Sequence, residues 1–287
     1  MPITRRTIIK FVFWALAIIL VLIIAAVAWL YSGALTPPKI KIFRILPMPI
    51  ALVNGQPLFM KDYLVRDAVA QKTLGRNSQR QTALAVVQQM INEAEVSQLA
   101  AQEGVSVSQK QIDDEYLAVS ERANLHGQKN FEIFLQSQGL NENFFKNNII
   151  KPELLLNQLR IWVNSQPNLN SQAYQSAGSL LKQINSGGDM ADLASRFTQN
   201  LAGKSSGGDM GFVQITDLSR ELRESVSALK PGETKIIPGL EGLFIIRLEG
   251  QSGNRLHLRE IFLNTNDFNS WLDSHKENFK IIKLLKF

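Results

Sequence analysis

The chain of 287 residues contains no cysteine. Disulfides, thiolate metal sites and a lipid anchor on an N-terminal cysteine are therefore excluded, while the redox compartment stays open. Histidine is scarce. His126, His257 and His275 are the three present, and their separations do not match metal-ligand spacing. Each reads as a surface or rim residue, so neither a metal nor another cofactor is expected. Concentrated charge is lacking too. The formal charge is +6, but Arg5, Arg6 and Lys10 supply three positives in the first ten residues. Residues 32–287 carry only +3 in a well-mixed distribution. That argues against nucleic acid as a partner, because binding it needs a clustered basic face.

What is present begins with an uncharged run of 21 residues, Phe11 to Tyr31. As a helix it spans roughly 30 Å, the thickness of a bilayer's hydrocarbon core. The preceding basic residues place the N-terminus in the cytoplasm and the remainder outside. Trp29 and Tyr31 fall where an outer aromatic belt belongs. The competing reading is a cleaved signal peptide, since Ala26-Val27-Ala28 fits an A-x-A site. The run is long for a signal peptide, and a retained anchor is expected.

Ser32 to Pro49 is punctuated by proline and reads as a linker. Ile50 to Leu58 reads as strand, Asn54-Gly55 turn and short strand. From Lys61 to Trp162 the pattern is helical. Leu84, Val87, Ile91 and Ala94 share one helix face, and that helix should stop near Gly104. Ser108 with Gln111 forms a capping box for a helix burying Ile112, Tyr116 and Val119. Further helices should end at Gly139, open at Asn141, and kink or restart at Pro152. A second unit follows Pro167: helices over 171–184 and 191–197, a strand starting at Phe212, and a helix over 217–228. Strands over 243–248 and 256–263, a helix over 268–279 and a strand over 281–287 complete it.

Two motifs suggest chemistry and fail on context. Gly203-Lys204-Ser205-Ser206-Gly207 spells a nucleophile elbow, but a helix precedes it and a glycine turn follows, where a strand and a helix are required. A phosphate loop would need glycine at Thr198. Asp113-Asp114-Glu115 is a run of carboxylates, but consecutive helical positions point in different directions, so a solvated face is expected.

The stretches Leu193-Ala194-Ser195-Arg196-Phe197-Thr198, Gly207-Gly208-Asp209-Met210-Gly211, Ala228-Leu229-Lys230-Pro231-Gly232-Glu233 and Gly242-Leu243-Phe244-Ile245-Ile246 resemble the parvulin-type peptidyl-prolyl isomerase domain. Ala51-Leu52-Val53-Asn54-Gly55 and the segment from Ile91 to Tyr116 are similar to the N-terminal chaperone domain of the SurA/PrsA/PpiD foldases. The likeness implies that Gly207, Gly208, Asp209 and Gly211 form a structural turn. It implies a peptide-binding pocket from Met210, Leu218, Leu222 and Phe244. The family's polar catalytic positions are substituted: Asn200 stands at the Cys/Asp position, Phe244 at the second histidine and Glu260 at the first. The first histidine's strand should open the domain, yet its best match, Leu258 to Leu263, lies after the last strand. A circularly permuted domain accounts for this; a truncated second repeat is the rival account.

The resulting expectation is an α+β protein. Its parts are a basic end (1–10), a transmembrane helix (11–31), a linker (32–49), a SurA-N-like domain (50–165), a parvulin-like domain (166–264) and a tail (265–287). The tail should pack on the first domain, with its strand beside Ile50–Val53. The implied function is binding of unfolded or newly exported polypeptides at the membrane, with weak or absent isomerase activity. An active isomerase and a scaffold subunit of a membrane assembly are the alternatives.

Overall fold

The computed structural model describes residues 5–74, 79–125 and 130–285. The chain divides into two compact units, each discontinuous in sequence: Met1–Glu95 with Ser120–Phe145 and Phe279–Phe287, and Val96–Val119 with Lys146–Asn278.

The first unit begins with α1 (Arg5–Tyr31), which contains an apolar stretch, Phe13–Tyr31, long enough to cross a membrane. The 32–49 stretch is not all linker, because it contains α2 (Pro37–Ile45). Two of the four prolines that look like punctuation, Pro37 and Pro38, sit in that helix's first turn, where a missing N–H costs nothing. Then come β1 (Pro49–Val53), β2 (Gln56–Phe59), α3 (Met60–Leu74) and the start of α4 (Gln79–Gln102). Asn54 and Gly55 both have positive φ, 50° and 82°, as the two-residue hairpin requires. The Lys280 N–H donates to Asn54 Oδ1 at 2.8 Å, so the turn also seats the C-terminal segment. The three-stranded sheet has the order β2-β1-β7, where β7 (Ile281–Lys283) runs antiparallel to β1 with Val53 opposite Ile281. Phe43, Ile50, Val53, Met60, Tyr63, Ile91 and Leu285 form the core.

α5 (Gln109–Leu125) starts at the reciprocal cap read from the sequence: the Ser108 N–H donates to Gln111 Oε1 at 2.9 Å. The carboxylates beyond it take separate cations. Asp113 pairs with Lys146 at 2.8 Å, and Asp114 with Lys110 at 2.8 Å and Arg220 at 3.3 Å. α6 (Phe131–Ser137) and α7 (Glu142–Phe145) follow, and His126 lies outside the described residues. A π-helical turn, Lys146–Ile150, joins α7 to α8 (Lys151–Asn164) without a break, so Pro152 sits just after a π-bulge that has already altered the hydrogen-bond ladder.

The second unit continues with α9 (Ser171–Asn185), α10 (Met190–Phe197), α11 (Leu201–Lys204), β3 (Asp209–Gln214) and α12 (Arg220–Ser227). β4 (Thr234–Pro238), β5 (Gly242–Ser252), β6 (Arg255–Asn264) and α13 (Phe268–Lys276) complete it. Its antiparallel sheet has the order β3-β6-β5-β4. Ile245 and Ile246 are both fully buried because apolar residues cover both faces. On one face Leu180, Ile184, Leu193 and Ala194 pack on Leu243, Ile245, Ile261 and Leu263. On the other, Leu218, Leu222 and Val226 pack on Ile246, Leu248, Leu256 and Leu258. α13 stays with this unit, through Trp271 against Trp162 and Phe268 under Arg160. Among the described residues of the expected tail, 279–285 belong to the first unit and 265–278 to the second. Residues 286–287 lie outside the described residues.

Candidate functional site

Alternation along β6 sorts its side chains. Leu256, Leu258, Glu260 and Phe262 face one way; His257, Arg259, Ile261 and Leu263 face the other. On the first face the register sets Glu260 opposite Ile246 and Phe262 opposite Phe244. Two of the substituted catalytic positions meet here: the Asn200 amide donates to Glu260 Oε1 across 3.4 Å. That is a long hydrogen bond. The other end of the amide is occupied, since Asn200 Oδ1 accepts from the Ala202 N–H and caps α11. The third position, Phe244, packs its ring 5.1 Å from that of Phe262, the two planes tilted by 45°. Phe262 escaped the sequence reading, although its place two residues after Glu260 on a strand put it on the same face.

Glu260 is 9 % exposed. Burial pushes its carboxyl above the ordinary glutamate range; the Asn200 hydrogen bond opposes this, and nearby Glu241 adds to it. A carboxyl in that state keeps its proton longer and can donate a hydrogen bond. The surrounding chain is tightly built. Thr198, itself buried, accepts the Phe262 N–H on its hydroxyl at 3.0 Å, and the Gln199 N–H donates to the Phe262 carbonyl at 2.8 Å.

The glycine turn makes this approach possible. Gly207 and Gly208 have φ of 58° and 75°. A Cβ on Gly208 would strike the Glu260 carbonyl and the Ala194 methyl, so no larger residue fits. The Asp209 carboxylate accepts the Gly211 N–H at 2.8 Å, and the positive φ of Gly211 closes the bulge. Ser205 ends α11 instead of a strand, consistent with a turn rather than a nucleophile.

The residues named for a pocket separate. Leu218 and Leu222 are 7 % and 8 % exposed and belong to the core beneath Phe244, whereas Met210 is exposed at the start of β3. The opposite face holds a polar group that the sequence did not signal. His257 Nε2 lies 2.9 Å from Asp209, and Arg259 reaches Glu249 at 2.6 Å and Asp209 at 3.4 Å. Asp209, Glu249 and His257 bring ligand atoms within 4.8 Å of one another. The Arg259 guanidinium already occupies the place of a cation between the two carboxylates, so the cluster is a complete ion-pair network. The Gly211 N–H first, then His257 and Arg259, hold the Asp209 carboxyl below its usual range.

With this geometry in place, comparison with known proteins defines the class. The SurA-like N-terminal domain family matches residues 4–160, more than half of the chain, and the PPIC-type PPIASE domain matches residues 147–252. The chain belongs to the SurA/PrsA-type foldases. Among curated relatives it is similar to Foldase protein PrsA 1 of Lactobacillus johnsonii, 27% identical over 159 residues, covering 49% of this chain and 52% of that one. It is also similar to Chaperone SurA of Cupriavidus pinatubonensis, 31% identical over 93 residues, covering 32% of this chain and 18% of that one. The chain therefore spans about half the length of the first relative and less than a fifth of the second. A crystal structure of PrsA from Bacillus anthracis aligns over 67% of this chain and 86% of its own at 20% identity, with a TM-score of 0.22. The fold described above accordingly rests on this chain's own topology.

Proposed function

We propose that this protein is a membrane-anchored, extracytoplasmic holding chaperone in which the isomerase-like domain binds polypeptide with little or no prolyl turnover. The observation that carries the reading is the Glu260–Asn200 contact. Where the family likeness expects a histidine and a Cys or Asp, there is one desolvated carboxyl and a capping amide, with Phe244 and Phe262 beside them. Rotating an X-Pro bond means lowering a barrier of about 18–20 kcal/mol, and no ionised pair is present to polarise the amide. Binding needs no reactive group. A groove of about 480 Å³ beside α9 offers Leu180, Phe197 and Leu263 as apolar contacts, with Gln175, Gln183 and Gln199 as two-way hydrogen-bonding partners. None of its lining residues is charged, which suits an extended segment of unfolded chain and not nucleic acid. The exposed, apolar Phe13–Tyr31 stretch supports the anchor.

In this reading the domain is circularly permuted. The PPIC-type match stops at residue 252, just before β6, and β6 occupies the central place between β3 and β5 that an opening strand would fill. The decisive test runs the full-length detergent-solubilised chain in two assays. Suppression of aggregation of a denatured client with no turnover of a prolyl peptide above background is expected. Turnover that disappears in Glu260→Gln would establish an enzyme that depends on this carboxyl, and the holdase reading would fall. Capture of one stoichiometric membrane protein without client protection would favour a scaffold.

A further inference from the structure

The anchor and the first folded unit are joined without slack. Leu30, in the last turn of α1, is 6 % exposed and packs in the same core as Phe43, Ile50, Val53 and Met60. The Tyr31 hydroxyl donates to the Pro49 carbonyl at 2.7 Å, and its ring lies 6.1 Å from that of Phe43. Lys39 is almost wholly buried. Its ammonium donates to the Ser32 carbonyl just beyond α1 and lies 5.3 Å from the centre of the Trp29 ring. A cation there complements the negative end of the helix dipole. Lys39 and Phe43, one turn apart on α2, both grip residues 29–32, so α2 lies alongside the outer end of the apolar span.

With that side of α2 committed, its opposite face carries Lys41, Arg44 and Ile45, all exposed. Ile45 is 80 % exposed and Leu46 47 %. The sequence contains no acidic residue before Asp62, so nothing on this segment neutralises those two cations. Basic and bare aliphatic side chains on one short helix, level with the end of a span, have the make-up of an interfacial helix.

We propose that α2 is a membrane-surface helix: Ile45 and Leu46 enter the interface of the bilayer that α1 crosses, and Lys41 and Arg44 engage anionic phospholipid headgroups. This rests on the anchor reading above. Its consequence is that the first unit is held upright at the bilayer by a rigid seam, not tethered by a loose linker.

The native chain has no cysteine, so full-length Ile45→Cys carries a single site for an environment-sensitive fluorophore. In phosphatidylethanolamine/phosphatidylglycerol vesicles, a headgroup-level nitroxide lipid is expected to quench the label more strongly than aqueous iodide. Adding Lys41→Glu and Arg44→Glu should lower the lipid quenching about twofold or more. Dominant iodide quenching would place α2 in water and overturn the proposal. Protection from both quenchers would mean that protein covers the helix, and would overturn it as well. Lipid quenching unchanged by charge reversal would overturn the headgroup assignment. Alkaline extraction separates this from the parent reading: a chain that resists extraction but shows a water-exposed label sinks only the interfacial helix, whereas an extracted chain sinks the anchor itself.

Discussion

The two faces of β6 place adjacent residues, Arg259 and Glu260, in opposite electrostatic settings. On one face Asp209 and Glu249 share the Arg259 guanidinium and His257, and the Asp209 carboxyl is held below its usual range. On the other, Glu260 accepts a long amide hydrogen bond from Asn200 with Glu241 nearby, and burial raises its carboxyl. A carboxylate is cheap to keep ionised where a cation and backbone N–H groups surround it, and costly where neither does. The paired cluster therefore reads as architecture, whereas Glu260 holds a buried carboxyl with a long amide hydrogen bond.

The largest effect should come from removing what lets both faces form. Gly208→Ala forces a methyl against the Glu260 carbonyl from a left-handed backbone, and is expected to cost about 3 kcal/mol or more in denaturant unfolding. A loss below about 1 kcal/mol would show that the turn is looser than its geometry implies. Next, Arg259→Met strips the cation from Asp209 and Glu249. Because these carboxylates keep some water, the expected loss is about 1–2 kcal/mol, read as a lower unfolding midpoint at neutral pH. No loss would break the distinction between the faces.

Glu260→Gln should act in the other direction. A carboxyl raised in the folded state contributes stability that is fully present below its unfolded value and disappears as pH rises through its folded value. Gln keeps the shape without the charge, so a gain on the order of 1 kcal/mol is expected at neutral pH, shrinking towards pH 4. A variant destabilised at neutral pH would mean that the carboxylate is welcome there. The smallest change belongs to Asp209→Asn. The lowered carboxyl contributes stability above its ordinary range, lost as pH falls through its folded value, so the variant should flatten the acid limb of the stability profile. An unchanged limb would remove Asp209 from the comparison.

Much of this was legible locally. The Ser108–Gln111 cap, the Asn54-Gly55 hairpin and the glycine turn rest on residues within a few positions of one another, and local chemistry suffices to read them. The proline-initiated α2 was missed because proline signals both a break and a helix start, and tertiary packing of Phe43 and Lys39 chose between them. β4 was missed because Thr234 to Pro238 is short and ends in proline, so its identity comes from pairing with β5 as the edge of the sheet. Glu260, Asn200 and Phe244 are named from a family likeness, but the side chains around them are not. Phe262, Arg259 and Glu249 became significant only once strand register set them beside Phe244, Asp209 and each other.

By itself the sequence determined the apolar span, most of the helical and strand segments, the turn chemistry and the family, because each is written in periodicity or in short residue patterns. Only the tertiary structure decided that β6 lies between β3 and β5 and that Glu260 is buried, its side chain meeting the Asn200 amide and no cation among the described residues. Those outcomes depend on which distant segments share a sheet and what solvent remains around a charge, and neither is encoded within any single stretch of chain.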